Sequence, residues 1–180
     1  KTQNLLWRLD HGGADGLKPK TIVLMIGNNN MFFTPETGVP AAARGIQTCV
    51  ANLREKFPDA TLVVAKILPC HTPKDRFYQD ILLTNAELDK LGLDKDPKVK
   101  VLDLTKDFLN DDGTIKTELY TSDKVHLSPA GYAAYARRLR PLRRRPWPRP
   151  RPSRRRNRSL RGSLRNRHSP SASSNLAAKA

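Results

Sequence analysis

The sequence predicts an α/β domain in which a parallel β-sheet is covered by helices on both sides. Continuous apolar segments, typical of strands buried on both faces, occur at residues 21–26, 61–68 and 99–104. Segments with helical spacing separate them, and this alternation favours parallel strands joined by crossover helices. Because three strands are few for such a sheet, we expect part of the sheet to come from residues upstream of Lys1.

The amino-terminal part is predicted to form a short helix followed by the first strand. A helix over residues 2–10 places its leucines on one side and ends before Gly12. The strand at 21–26 lies between Pro19 and Gly27, which interrupt regular structure. Glycine and proline therefore delimit both elements.

A long amphipathic helix is predicted over residues 39–57, and Pro58 ends it. Its apolar positions recur at helical spacing: Ala42, Ala43, Ile46, Val50, Leu53 and Phe57. The position of its first turn stays open between two alternatives. Thr34 before a proline is a good cap, whereas a cap at Thr37 would place Pro40 in the first turn.

The second and third strands are predicted to flank a helix over residues 76–91, and one further helix follows the third strand. The inward side of the 76–91 helix carries Phe77, Ile81, Leu88 and Leu91. The last helix is opened by Ser128 as an N-cap followed by Pro129, and Pro141 ends it. Its apolar positions are Tyr132, Ala136 and Leu139.

The formal net charge of +16 is concentrated at the carboxyl terminus. Of the 33 Lys and Arg residues, 16 lie within residues 137–180, where there is no Asp or Glu, so the preceding residues are formally neutral. We therefore predict one folded domain over residues 1–139 and a tail over 140–180. The tail is rich in Arg, Pro and Ser and has too few apolar residues to offset the entropy of ordering, so we expect disorder. Its abrupt onset also fits a reading frame translated out of register, which an intact frame across codons 137–145 would contradict.

Cysteine content and hydropathy exclude several protein classes. Cys49 and Cys70 are too few for a disulfide framework and lack the spacing of zinc ligands, so we expect free, mostly buried thiols and no metal or other cofactor. No apolar run approaches the ~20 residues of a membrane-spanning helix. The cellular compartment is not predicted, because a segment carrying a targeting signal is expected to lie upstream of this chain.

Polar residues follow the predicted strand ends, where open parallel sheets bind ligands. In residues 27–30 (Gly-Asn-Asn-Asn), the glycine allows a substrate to approach the backbone closely, and an asparagine amide can donate a hydrogen bond to an oxyanion. The alternative is a polar turn that ends the strand. Asp123 lies three residues before His126, so its carboxylate can hold the Nδ1 proton and leave the ring as a general base. Cys70 beside His71 does not favour a dyad, because adjacent side chains on an extended chain point apart. A pairing of Cys70 with His126 stays open.

Three segments of residues 1–139 resemble, in order and spacing, the SGNH or GDSL-type ester hydrolases. They are TQNLLWRL, VLMIGNNN in place of the family's Gly-x-Asn-Asp or Gly-x-Asn-Asn block, and SDKVHLSPAGYAAYA in place of its Asp-x-x-His block. Within that family the resemblance is to the branch similar to platelet-activating-factor acetylhydrolase catalytic subunits and bacterial carbohydrate acetylesterases.

The resemblance implies a flavodoxin-like three-layer α/β/α fold and hydrolysis of acyl esters through a serine. It implies that His126 is the base, that Asp123 orients it and that Asn29 is an oxyanion donor. Gly27 would line the substrate pocket with its backbone, and Asn28 takes the variable place in its block.

The family's nucleophile has no counterpart in this chain. Its Gly-Asp-Ser block and the glycine that precedes the TQNLLWRL helix find no match. The serines before the tail are Ser122 and Ser128, and neither follows Gly-Asp. We therefore expect a fragment that lacks its first strand and is inactive as it stands.

The resemblance favours the function of an ester hydrolase acting on an acylated carbohydrate or another small acylated substrate. One alternative is binding of nucleic acid or an acidic polymer through the arginines of the tail, although no aromatic platform accompanies them. Another is a pseudoenzyme scaffold that binds a partner without chemistry. The oligomeric state stays open.

Overall fold

The computed structural model describes residues 1–33 and 38–142, and the predicted α/β class is confirmed over these residues. The strands are β1 (Thr21–Leu24), β2 (Thr61–Ala65) and β3 (Val99–Leu102). The helices are α1 (Thr2–Asp10), α2 (Asn28–Phe33), α3 (Gly38–Lys56), α4 (Arg76–Lys90), α5 (Thr105–Phe108) and α6 (Pro129–Leu139). Short 3-10 turns occupy Leu93–Lys95, Thr117–Leu119 and Arg140–Leu142. Residues 143–180, which make up most of the predicted tail, lie outside the described residues, as do both alternative caps of α3.

The three strands form one parallel sheet in the order β1-β2-β3. Val23 pairs with Val63, and Val63 in turn pairs with Lys100. All five residues of β2 are buried, as expected for the middle strand of a sheet covered on both faces.

Successive side chains of β2 belong to two separate hydrophobic clusters because they point to opposite faces of the sheet. Leu62 and Val64 pack into a cluster with apolar residues of α1, α3 and α4. Val63 and Ala65 pack into the other cluster with Phe108 of α5 and with α6. The predicted covering of the sheet by helices on both sides is therefore confirmed.

The first strand is covered less completely on one side than on the other. Leu24 is buried against the α3 side, whereas Val23 and Met25 keep 42% and 45% of their surface exposed. Among the described strands, β1 pairs with β2 alone. An apolar surface thus lies beside a sheet edge.

Each strand ends earlier than its apolar run predicts. For β2, the run continues to Leu68, but the backbone at Ile67 bonds to a side chain in place of a neighbouring strand. The amide of Asn85 accepts from Ile67 N at 2.9 Å and donates to Ile67 O at 2.8 Å. Because Asn85 is buried on α4, this pair of bonds fixes the chain where it leaves the sheet.

The buried side of α6 agrees with the predicted one only in part, since Leu139 packs against the core as predicted. Tyr132 is 64% exposed and Ala136 is also exposed, whereas Gly131 and Ala134 face the protein. A β-carbon at position 131 would clash with the Leu119 carbonyl oxygen, so only glycine allows this approach. The predicted cap is confirmed, since Ser128 Oγ accepts from Gly131 N at 3.2 Å.

Candidate active site

Asp123 and His126 form the hydrogen bond that their spacing predicts. His126 Nδ1 lies 2.6 Å from Asp123 Oδ2. The other carboxylate oxygen, Oδ1, accepts from the backbone nitrogens of Val125 at 2.9 Å and His126 at 3.0 Å and from Thr121 Oγ1 at 2.7 Å. A single turn therefore holds the carboxylate and places the imidazole against it.

These bonds decide which nitrogen of the imidazole is free. The hydrogen bond from the His126 side chain, followed by those from the backbone at His126 and Val125 and from Thr121, lowers the pKa of Asp123 well below its usual value. An ionised carboxylate only accepts, so the proton of a neutral His126 ring sits on Nδ1. Nε2 is then the basic nitrogen, and the side chain is 77% exposed, so a reacting group can reach it.

Two residues with left-handed backbone brace this turn. His71 has φ 65° and Lys124 has φ 58°, and they are the non-glycine residues of positive φ within the described ranges. His71 N donates to Lys124 O at 3.2 Å, which ties the segment after β2 to the turn of the candidate base. Side chains in this conformation are strained and persist where the surroundings hold them. The sequence did not single out this brace, because a short-range motif does not reveal a contact between distant segments. Thr121, two residues before Asp123, was not singled out either.

Residues 28–30 form the first turn of α2, a helix that the sequence did not predict, and Gly27 directly precedes it. Asn30 N donates to Gly27 O at 2.9 Å, and the Asn30 side chain bonds to Thr2 of α1. Gly27 has φ 118°, and a β-carbon there would lie 3.0 Å from an Ile46 methyl group. Asn29, the predicted oxyanion donor, is exposed in the first turn of α2, whereas Asn28 is half-buried.

A small cavity of about 90 Å³ connects the end of β1 and the segment after β2 with the turn of the candidate base. Its walls include Ile67, Cys70 and Val125, and they are mainly apolar. Asn28 also lines it, and its Oδ1 is buried without a hydrogen-bond partner among the described residues. The sequence had given Asn28 no role, because burial of one amide among three adjacent asparagines depends on the fold.

The two cysteines are free and buried, as predicted. Burial raises the pKa of Cys70 to about 12, with smaller contributions from the charges of Asp75 and Asp123. Burial likewise raises the pKa of Cys49 to about 11. Both thiols remain protonated near neutral pH, so the pairing of Cys70 with His126 that the sequence left open gains no support.

The serines that precede the tail are not placed to act on His126. Ser128 Oγ donates to the Glu118 carbonyl oxygen at 2.7 Å while it caps α6. Ser122 is exposed, and within the described ranges no hydrogen bond joins a serine hydroxyl to the His126 ring. The structure thus pairs the predicted base with its carboxylate, and the cavity lined by Asn28 and Val125 links the Gly-Asn segment to their turn.

The fold and these residues define a class of hydrolase. Residues 1–134 match the model of the GDSL-like Lipase/Acylhydrolase family, and the chain belongs to that family. A GDSL-like lipase from Bacteroides thetaiotaomicron has the same fold, with a TM-score of 0.61 at 18% identity, over 79% of this chain and 70% of that one.

Two curated relatives are subunits of one enzyme. The chain is 34% identical over 142 residues to the platelet-activating factor acetylhydrolase IB subunit alpha1 of Pongo abelii. This alignment covers 78% of this chain and 58% of the relative. It is 32% identical over 142 residues to the alpha2 subunit of Rattus norvegicus, covering 78% and 59%. The chain therefore spans less than two thirds of the length of these relatives.

The described part of the chain contains no helix long and apolar enough to cross a membrane. Over the same residues, no three His, Cys, Asp or Glu side chains are grouped so that they could hold a metal ion.

Proposed function

We propose that this chain is part of a serine ester hydrolase, to which it contributes the base His126, the orienting carboxylate of Asp123 and the oxyanion donor Asn29. The observation that carries the proposal is the 2.6 Å contact between His126 Nδ1 and Asp123 Oδ2 at the carboxyl end of a parallel sheet. Ligands bind at that end in open α/β sheets, and membership of the GDSL-like family supports the same chemistry.

The nucleophile in this proposal is a serine on a segment that precedes Lys1 in the complete protein. His126 Nε2 takes the proton of that hydroxyl, and the serine oxygen forms a bond to the ester carbonyl carbon. The carbonyl electrons move to oxygen, where the Asn29 amide donates to the anion. Collapse expels the alcohol, which takes the proton back from His126, and water then releases the acid by the same steps.

The substrate in this proposal carries a short acyl group on a carbohydrate or another small molecule. Support comes from the small cavity beside Asn28 and Cys70, because its apolar walls suit a hydrocarbon chain and its volume admits only a short one. The names of the relatives also specify an acetylhydrolase.

Cleavage of p-nitrophenyl esters by the complete protein tests the activity and the acyl length together. We expect kcat/KM to be highest for acetate and to fall at least tenfold for octanoate, because a longer chain does not fit the cavity. Equal rates for both esters would contradict the proposed acyl pocket. Failure on every ester would contradict the esterase itself.

Substitution of Asn29 tests the oxyanion donor. In the complete protein, Asn29→Ala is expected to lower kcat by about 10² to 10³ with little change in KM, the usual effect of removing one such donor. Asn4→Ala, at an exposed position of α1, is the matched control and should leave kcat unchanged. If kcat of Asn29→Ala falls tenfold or less, Asn29 is a turn residue and not an oxyanion donor. If kcat of Asn28→Ala falls further than that of Asn29→Ala, Asn28 is the oxyanion donor.

A further inference from the structure

A second concave surface lies at the opposite end of the sheet from Asp123 and His126. It has a volume of about 600 Å³ and lies between residues 17–20, which lead into β1, and residues 56–60, which lead into β2. Both strands run from this end toward the candidate active site. Four residues of strand span roughly 13 Å, so an ester reaction at one end leaves the other free.

The walls of this surface, here called the lysine pocket, combine apolar and cationic groups. Apolar surface comes from Leu17, Pro19, Phe57 and Pro58, and Leu17 is 61% exposed. The charged groups are Lys18, Lys20, Lys56 and a single carboxylate, Asp59. The lining thus carries an excess of positive charge beside an apolar surface.

Arg54 holds one wall of the lysine pocket in place. Its Nη1 donates to the carbonyl oxygens of Phe57 at 3.1 Å, Pro58 at 3.0 Å and Ala60 at 3.3 Å. Its Nε donates to Asp96 Oδ2 at 2.8 Å. The turn between α3 and β2 is therefore fixed before any ligand binds, which reduces the entropy lost on binding.

Hydrogen bonds also hold the segment of residues 17–20 and the side chain of Lys56 in place. Thr61 N donates to Lys20 O at 3.0 Å, and Lys56 Nζ donates to Leu9 O at 3.2 Å and Asp15 Oδ1 at 2.7 Å. Lys56 is thus already paired with a carboxylate. Lys18 and Lys20 are exposed and form no ion pair with a residue of the described ranges. These two ammonium groups are available to an anion.

We propose that the lysine pocket binds a small organic phosphate, with its apolar body against Leu17 and Phe57 and its phosphate between Lys18 and Lys20. A lysine ammonium is a compact point charge that binds phosphate without a fixed geometry. Two of them match the double charge of a phosphate monoester better than the single charge of a carboxylate. The apolar walls select a phosphate that carries a hydrocarbon or aromatic group.

Titration of the ¹⁵N-labelled complete protein with phenyl phosphate, followed by amide chemical shifts, tests this site. The arginine-rich tail also attracts anions, so the signals that count are those of residues 17–20 and 57–61. We expect saturable shifts there with a Kd on the order of 10⁻⁴ M, a value typical of small ligands with modest affinity per atom. Inorganic phosphate should bind at least tenfold more weakly, because it leaves the apolar walls unused.

Two double variants separate the pocket from general attraction of anions. K18Q with K20Q should weaken binding of phenyl phosphate at least tenfold. K74Q with K106Q removes the same charge from exposed positions outside the pocket and should change the Kd less than twofold. Equal weakening by both variants, or shifts confined to the tail, would overturn the proposal. Benzoate binding as tightly as phenyl phosphate would overturn the phosphate assignment. Because the readout is binding, it is independent of ester turnover.

Discussion

The chain of 180 residues is expected to hydrolyse no ester, and joining it to an upstream segment that carries Gly-Asp-Ser is expected to restore turnover. A base and an oxyanion donor can orient water, but acyl transfer of this type needs a serine oxygen within hydrogen-bond reach of His126 Nε2. Ser128 is engaged as the cap of α6 and Ser122 does not follow Gly-Asp, so neither meets that need.

The same segment should improve solubility. The side chains of Val23 and Met25 expose apolar surface beside the edge of β1, and such edges promote aggregation. A strand that pairs with β1 and a following helix would cover both features. Residues 1–139 without this segment should therefore be poorly soluble as well as inactive.

The experiment compares residues 1–139 with and without a grafted upstream segment from a related hydrolase, using p-nitrophenyl acetate and a soluble fraction assay. A matched graft in which the serine of Gly-Asp-Ser is replaced by alanine separates folding from chemistry, because it should restore solubility and leave turnover absent. Activity of the ungrafted chain that a serine-directed inhibitor abolishes would contradict the proposed origin of the nucleophile. A folded, soluble graft with an intact serine and no turnover would favour the pseudoenzyme alternative.

His126→Ala is expected to abolish turnover by the complete protein, because it removes the group that takes the serine proton. Asp123→Asn should lower kcat by about 10³ to 10⁴ and leave some activity, since aspartate orients and stabilises the imidazole without transferring its proton. The asparagine retains an Oδ1 that can accept from the backbone of Val125 and His126. Its amide nitrogen, however, cannot accept a hydrogen bond from Nδ1. The ring proton is therefore expected to sit on Nε2, and in this tautomer Nε2 cannot take the serine proton.

Controls distinguish chemistry from folding in this pair of variants. His11→Ala replaces an exposed histidine that ends α1, far along the chain from the candidate base, and should leave kcat unchanged. Unfolding midpoints of all variants should be compared, because Asp123 also stabilises its turn. Wild-type rates in either His126→Ala or Asp123→Asn would remove these residues from the mechanism.

Features that depend on neighbouring residues could be predicted before the structure was known. Three apolar runs separated by helical spacing specify parallel strands joined by crossover helices, because such strands must be buried on both faces. The cap at Ser128 followed by Pro129 is likewise local, and it is confirmed. Asp123 and His126 meet because three residues in one turn bring their side chains together.

Features that depend on contacts between distant segments could not be predicted. The end of β2 was misplaced because the Asn85 side chain, 18 residues away, takes the backbone bonds of Ile67. Two of the three predicted core positions of α6, Tyr132 and Ala136, are exposed, and only the packed structure brings the Leu119 carbonyl against Gly131 instead.

The sequence by itself therefore determined the fold class and the pairing of a histidine with its carboxylate, since each follows from short-range pattern and spacing. The family was indicated by the resemblance of three segments to its motifs. The tertiary structure alone decided the burial of Asn28, the brace between His71 and Lys124, and the lysine pocket. Each of these features depends on segments that are far apart along the chain. Their positions follow from how helices and strands pack, because packing selects which polar groups lose contact with water and which remain open to a ligand.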